Sequence, residues 1–167
     1  MEEIFTGSFT QQAPLPEEAQ EAALAVLQHG RLHRYNIAAG ETAEVAALEE
    51  DFAAYTGARY CLAVASGGAA MSTALRALGV GPGDPVLSNA FTLAPVPGAI
   101  AAVGARPVLV ETTPALTIDL DDLGRKIAES GARVLLLSDM RGHSGDMDAV
   151  MSLCDAAGVR VVEDCAH

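Results

Sequence analysis

The residues best placed to do chemistry stand at the end of the chain, where Arg160, Val161 and Val162 lead into Glu163, Asp164, Cys165, Ala166 and His167. A short apolar run that ends in carboxylates predicts a buried strand. Its carboxyl end would deliver acidic groups to a ligand, because in open α/β sheets ligands sit at that end. Asp164 and His167, three residues apart just beyond the strand, are spaced to face one crevice. A second signal lies at 66–70 (SGGAA), small residues between an apolar run at 60–65 (YCLAVA) and a helical run to Leu78. Strand, small-residue turn and helix form a phosphate-binding arrangement, since glycine lets an anion approach backbone N–H groups at the positive helix end. The alternative is a tight turn with glycine used for packing alone, and for Asp164 a carboxylate satisfied by a neighbouring turn. A phosphate cradle facing a buried carboxylate suits an elongated, phosphorylated, nitrogen-containing ring. Pyridoxal 5'-phosphate is such a ligand: the turn takes the phosphate, Asp164 keeps the pyridine nitrogen protonated, and His167 reaches the ring oxygen.

Composition narrows the alternatives. A formal net charge of −12, with only 10 Lys plus Arg, opposes binding to a phosphate backbone or an anionic membrane surface. The absence of Trp and the scarcity of Phe and Tyr leave no base-stacking surface. Half of the 167 residues are apolar, enough for one α/β domain with a core. No apolar run reaches the roughly 18 residues of a membrane span, so a cytoplasmic protein is expected. Three cysteines, Cys61, Cys154 and Cys165, read as reduced, buried thiols.

The elements that would position these residues follow from periodicity and punctuation. Residues 1–15 read as an extended arm. A helix is expected over 16–28, stopped by Gly30, and another over 41–56, stopped by Gly57, with Val45, Leu48, Phe52 and Tyr55 on its structural face. Between them Arg31, His33, Arg34, Tyr35 and Asn36 form the densest basic and hydrogen-bonding cluster, either a solvated loop or a substrate-facing one. Strands are expected at 60–65, 85–88, 106–110, 133–138 and at the chain end. The glycines of 79–84 precede a strand and so do not make a dinucleotide fingerprint. Asp119 and Asp146 are expected to cap helices reaching Glu129 and Gly158. Strands alternating with helices imply a mostly parallel sheet covered by helices on both faces.

The segments at 66–70, 78–86 (LGVGPGDPV), 89–100 (NAFTLAPVPGAI), 104–111 (GARPVLVE), 141–150 (RGHSGDMDAV) and 161–167 (VVEDCAH) together resemble the DegT/DnrJ/EryC1/StrS aminotransferases, in order from about residue 16 onward. The resemblance implies an aspartate-aminotransferase-like large domain of PLP fold type I. It also implies pyridoxal phosphate, an amino donor such as glutamate or glutamine, and a keto substrate such as a keto-sugar nucleotide. Gly68 and Ala69 would present N–H groups to the phosphate, Asp164 would pair with the pyridinium, and His167, where many relatives have glutamine, would bond the ring hydroxyl. Leu93 falls where many members stack an aromatic ring, Gly68 where threonine is common, and Asp139 where relatives often show histidine. Family sites lie at a homodimer interface, which makes Arg31 and Tyr35 candidates for contacting substrate.

The resemblance also implies a Schiff-base lysine beyond the equivalent of His167. The sole lysine here is Lys126, on the expected helix after Asp119 and away from the strand ends. The chain is therefore expected to be a truncated N-terminal portion of the large domain (16–167), without catalytic residues of its own and inactive alone, unless a second chain supplies the rest. The alternative is a non-catalytic cofactor-binding or regulatory module. A metal site from His143, Asp146, Asp148, Asp164 and His167 is set aside, because Asp146 already has a capping role.

Overall fold

The sheet forms from four five-residue runs, two of which, PVLSN and VLLLS, are apolar until their last positions. A computed structural model describes residues 7–8, 10, 12–35 and 37–167. Of the arm expected over 1–15, residues 1–6, 9 and 11 lie outside the described residues, as does Asn36 of the basic cluster. The chain divides into two units, Met1–Ala63 and Val64–His167.

In the second unit the elements run α3 (Gly67–Ala77), β1 (Pro85–Asn89), α4 (Pro95–Ala102), β2 (Arg106–Val110), α5 (Leu120–Ser130), β3 (Val134–Ser138), a 3-10 turn (Met140–Gly142), α6 (Met147–Ala157) and β4 (Arg160–Asp164); α1 (Glu17–His29) and α2 (Glu44–Thr56) belong to the first. The four strands are all parallel in the order β2-β1-β3-β4. Side chains alternate across a strand, and β3 shows the consequence: Val134 and Leu136 join the core under α3 and α4, with Met71, Leu75, Val96 and Ile100. Leu135 and Leu137 join the opposite core under α5 and α6, with Leu123, Val150 and Cys154. The sheet is thus covered on both faces, as the alternation of elements predicts.

The caps form as expected. Asp119 accepts a hydrogen bond from the Asp122 N–H at 2.9 Å and Asp146 one from the Ala149 N–H at 3.0 Å. In the first unit α1 runs from Pro16 to a left-handed Gly30, with Glu17 and Glu18 in its first turn. The α2 helix begins at Glu44 rather than 41, preceded by Ala43, which offers no side-chain cap.

Three expectations are corrected. The run 60–65 forms no strand. A strand needs a neighbour for its backbone groups, and here the Ala63 N–H bonds the Glu49 carboxylate at 2.7 Å instead of a ladder partner. Tyr60, Leu62 and Val64, alternate residues of that run, are exposed. The expected structural face of α2 is not buried, since Leu48, Phe52 and Tyr55 are all more than half exposed. Finally, only Cys154 of the three thiols is buried, and Cys165 is exposed. An apolar pattern measures the tendency to be covered, not whether a cover is present.

Candidate functional site

The chain after β1 first adds β2 on one side, then crosses to the other side for β3 and β4. The topological switch point therefore lies between β1 and β3, where a ligand crevice is expected. Pairing there is confined to Leu87 with Leu135 and Ser88 with Leu136, whereas β1–β2 and β3–β4 each pair along five residues. Beyond Ser88 a side chain spans the gap. The amide of Asn89 donates to the Ser138 carbonyl at 3.0 Å and to the Phe91 carbonyl at 2.8 Å, and its Oδ1 accepts from the Ser138 N–H at 2.9 Å. Ser138 stands opposite Asp164 in the β3–β4 register and donates its hydroxyl to Asp164 Oδ2 at 3.1 Å.

The α3 helix brings its N-terminus to the same edge of the sheet. Leu78 and Gly79 at its far end share a small cavity with Pro85 and Val134, the first residues of β1 and β3. Eleven helical residues at ~1.5 Å each match five strand residues at ~3.3 Å each, about 16 Å in both cases. Gly67 and Gly68 therefore stand level with the carboxyl ends of the strands. Ser66 caps the helix and takes the Ala69 N–H at 3.2 Å, so of the two expected phosphate donors Ala69 already has a partner. Among the described residues the Gly68 N–H has none, and a Cβ built on Gly68 would meet only Ser66 Oγ, at 3.9 Å.

Asp139 follows β3 and donates its N–H to the Asp164 carbonyl at 3.0 Å. Burial, and then the Asp164 charge, push its carboxyl above the ordinary range, against the lowering pull of Cys165, whose Sγ lies 3.9 Å away. The Cys165 thiol is raised in turn, by burial first and then by Glu163, Asp139 and Asp164. His167 is exposed, with its carbonyl oxygen beside Gly142, where a Cβ would stand 3.4 Å from it. Leu93 lies half exposed in the loop between β1 and α4. Nearby Thr92 Oγ1 is buried without a hydrogen-bond partner, as is Ser88 Oγ on β1.

Leu93 follows β1, Asp164 closes β4 and His167 follows it, while Gly68 and Ala69 lie in the first turn of α3. Arg31 and Tyr35 belong to the first unit. There Arg31 forms an ion pair with Glu41 and lines a cavity of about 480 Å³ together with His29, His33 and Arg34. Tyr35 stacks on His33, ring centroids 5.3 Å apart. Arg34 is paired to Glu49 in bidentate fashion, at 3.2 and 2.6 Å. Lys126 sits on α5. Asp146 is held as a helix cap. Sequence reasoning missed Asn89 and Ser138 as a bridge. The available signal was a polar residue closing each of two otherwise buried strands, PVLSN and VLLLS.

A family model for the DegT/DnrJ/EryC1/StrS aminotransferases matches residues 15–167. The chain belongs to this family. It is 32% identical over 158 residues to the UDP-2-acetamido-2-deoxy-3-oxo-D-glucuronate aminotransferase of Pseudomonas aeruginosa, covering 94% of this chain and 42% of that protein. It is 40% identical over 125 residues to the dTDP-3-amino-3,4,6-trideoxy-alpha-D-glucose transaminase of Streptomyces venezuelae, covering 74% of this chain and 33% of that one. Among solved structures, 3-amino-5-hydroxybenzoic acid synthase superposes with a TM-score of 0.85 at 28% identity, over 96% of this chain and 40% of that one. DesV of S. venezuelae superposes at 0.76 and 35% identity, over 90% and 39%. The chain therefore spans well under half the length of these relatives. The fold is that of pyridoxal-phosphate aminotransferases, and the family implies pyridoxal phosphate as cofactor. The donor set fits such a group: an unpartnered N–H with open space at a helix N-terminus, and a carboxylate at a strand end on the same edge of the sheet. No helix among the described residues is long and apolar enough to cross a membrane.

Proposed function

We propose that this chain is the N-terminal portion (16–167) of the large domain of a pyridoxal-phosphate aminotransferase that moves an amino group from glutamate or glutamine to a keto-sugar nucleotide. The observation that carries the reading is Asp164, a carboxylate anchored at the end of β4 by Ser138, on the edge of the sheet where α3 begins. When bound, pyridoxal phosphate supplies an electron sink for reactions at an amino-bearing carbon. The chain's part is to hold it. The Gly68 N–H, with the positive end of α3, takes the phosphate, and Ala69 contributes only if Ser66 Oγ releases its N–H. Asp164 retains the proton on the ring nitrogen, His167 bonds the ring hydroxyl, and Leu93 packs on the ring without offering a stacking face. Two of the relatives, those of Pseudomonas aeruginosa and Streptomyces venezuelae matched by sequence, are named for UDP- and dTDP-linked sugars, which supports the substrate class. In this reading the protein works as a cytoplasmic homodimer, with Arg31 and Tyr35 offered to substrate.

A second reading, a cofactor-binding module without catalysis of its own, is favoured by one observation: the sole lysine, Lys126, is on α5, beside Asp122. Both readings require cofactor binding. Titrating the chain with pyridoxal phosphate should give saturable binding that Asp164→Asn weakens about tenfold, the loss of a charge-assisted hydrogen bond. Borohydride reduction followed by peptide mapping should leave no stoichiometric adduct on Lys126. Binding indifferent to Asp164→Asn would remove the proposed function, and a single stoichiometric adduct on Lys126 would overturn the view that the reactive lysine lies elsewhere.

A further inference from the structure

We infer that Ser138 and Asn89 are positioning residues that fix the carboxylate of Asp164, so that Oδ1 is the oxygen offered to a bound ring nitrogen. The inference rests on the reading of Asp164 as the cofactor's partner and adds the device that aims it. Three strands contribute. The buried Asn89 at the end of β1 grips the backbone of Ser138 from both sides, by its Oδ1 on the N–H and its Nδ2 on the carbonyl. That grip sets the hydroxyl of Ser138, itself buried, which donates to Asp164 Oδ2 across the β3–β4 register. The main chain of Asp164 is held at the same place, its carbonyl accepting the Asp139 N–H.

Only Oδ2 of Asp164 is engaged by a side chain; Oδ1 accepts no hydrogen bond among the described residues. A carboxylate tethered by one oxygen keeps the other for a ligand, and a tether whose own backbone is fixed loses little entropy when the ligand arrives. The tether also has an opponent. Asp139 brings a second carboxyl toward Asp164, and like charges side by side would swing the Asp164 side chain away unless something holds it. The hydroxyl is in the right place to do so, and a hydrogen bond to a charged acceptor is among the stronger kinds.

Ser138→Ala tests this cleanly, because it deletes the hydroxyl and leaves both Asn89 bonds, which use only the backbone of residue 138. Two readouts separate aiming from mere support. The first needs no cofactor: three-bond NMR couplings across χ1 of Asp164 should report one rotamer in the wild-type chain, averaging in Ser138→Ala, and one rotamer again in Ser138→Thr, which restores the hydroxyl. The second uses pyridoxal phosphate labelled with 15N. Its dissociation constant should rise about fivefold in Ser138→Ala, equivalent to ~1 kcal/mol, with the pyridine resonance moving toward that of the unpaired ring, and both should return in Ser138→Thr. Unchanged Asp164 couplings in Ser138→Ala would overturn the inference, as would a cofactor affinity that Asp164→Asn weakens and Ser138→Ala leaves unchanged. Should the wild-type chain take up no cofactor while Ser138→Ala still frees Asp164, the positioning role stands and the cofactor reading falls.

Discussion

Helices α1 and α2 of the first unit and helices α5 and α6 of the second end alike and begin differently. All four stop at a left-handed glycine, Gly30, Gly57, Gly131 and Gly158, with φ between 68 and 72°. Yet α5 and α6 start on aspartate caps and bury Leu123, Val150 and Cys154, whereas α1 and α2 start on Pro16 and Ala43 without side-chain caps and bury nothing. A glycine stop is a local property of the backbone and forms wherever the sequence calls for it. Burial depends on what else is present, and for α5 and α6 the sheet supplies it.

The sharpest way to break this contrast is to cut one leucine from each region. Leu135→Ala, in the middle of β3 with its side chain fully buried, should cost about 3 kcal/mol in urea unfolding through lost burial and the cavity left behind. Leu24→Ala on α1, more than half exposed, should change stability by under about 0.5 kcal/mol, because alanine keeps the helix and little contact is lost. Equal costs would mean that α1 is held by something its exposure does not reveal. A smaller effect is expected at the helix starts. Asp146→Ala should remove about 1 kcal/mol by orphaning the Ala149 N–H, and no comparable loss is available at Ala43.

What was legible in the sequence follows the same division. The caps at Asp119 and Asp146, the glycine stops, and the strands at 106–110 and 133–138 rest on local chemistry, and they form within a residue or so of where periodicity puts them. The run 60–65 failed because strand formation is a property of pairs, and its apolar letters say nothing about who pairs with it. At the site, the glycine turn and Asp164 were readable from their places after apolar runs. The bridge from Asn89 to Ser138 was not, since two polar residues 49 positions apart meet only through the strand order β1-β3. The occupied N–H of Ala69 is hidden for a simpler reason: in the sequence Ser66 reads as part of the glycine turn, and in the fold it caps the helix.

The two regions also carry carboxyls that respond to acid with opposite sign. Glu49, on α2, is lowered by the Ala63 N–H first and then by Arg34. Its stabilisation is present above the ordinary glutamate range and disappears as pH falls through the lowered folded-state value. Glu49→Gln should therefore be less stable than wild type at neutral pH, with the gap closing in acid. Asp139 is raised, by burial and then by Asp164. Folding holds its proton more tightly, so its charge opposes folding at neutral pH and that penalty fades once pH falls below the ordinary aspartate range. Asp139→Asn should then gain stability at pH 7 and lose the advantage in acid. Parallel pH profiles for the two variants would contradict the assigned causes.

The smallest expected effect concerns Cys165, and it separates exposure from reactivity. A thiol open to solvent ordinarily invites alkylation, but the nucleophile is the thiolate, and here partial desolvation first, and then Glu163, Asp139 and Asp164, disfavour it. Iodoacetamide at neutral pH should modify Cys165 more slowly than a free small-molecule thiol. Asp139→Asn removes one of the opposing charges, and the hydrogen-bond partner 3.9 Å away becomes neutral. That variant should alkylate faster, by a modest factor because Glu163 and Asp164 remain. A Cys165 that reacts as fast as free thiol, and at the same rate in Asp139→Asn, would mean that the Asp139 carboxylate does not act on the sulfur across the 3.9 Å between them.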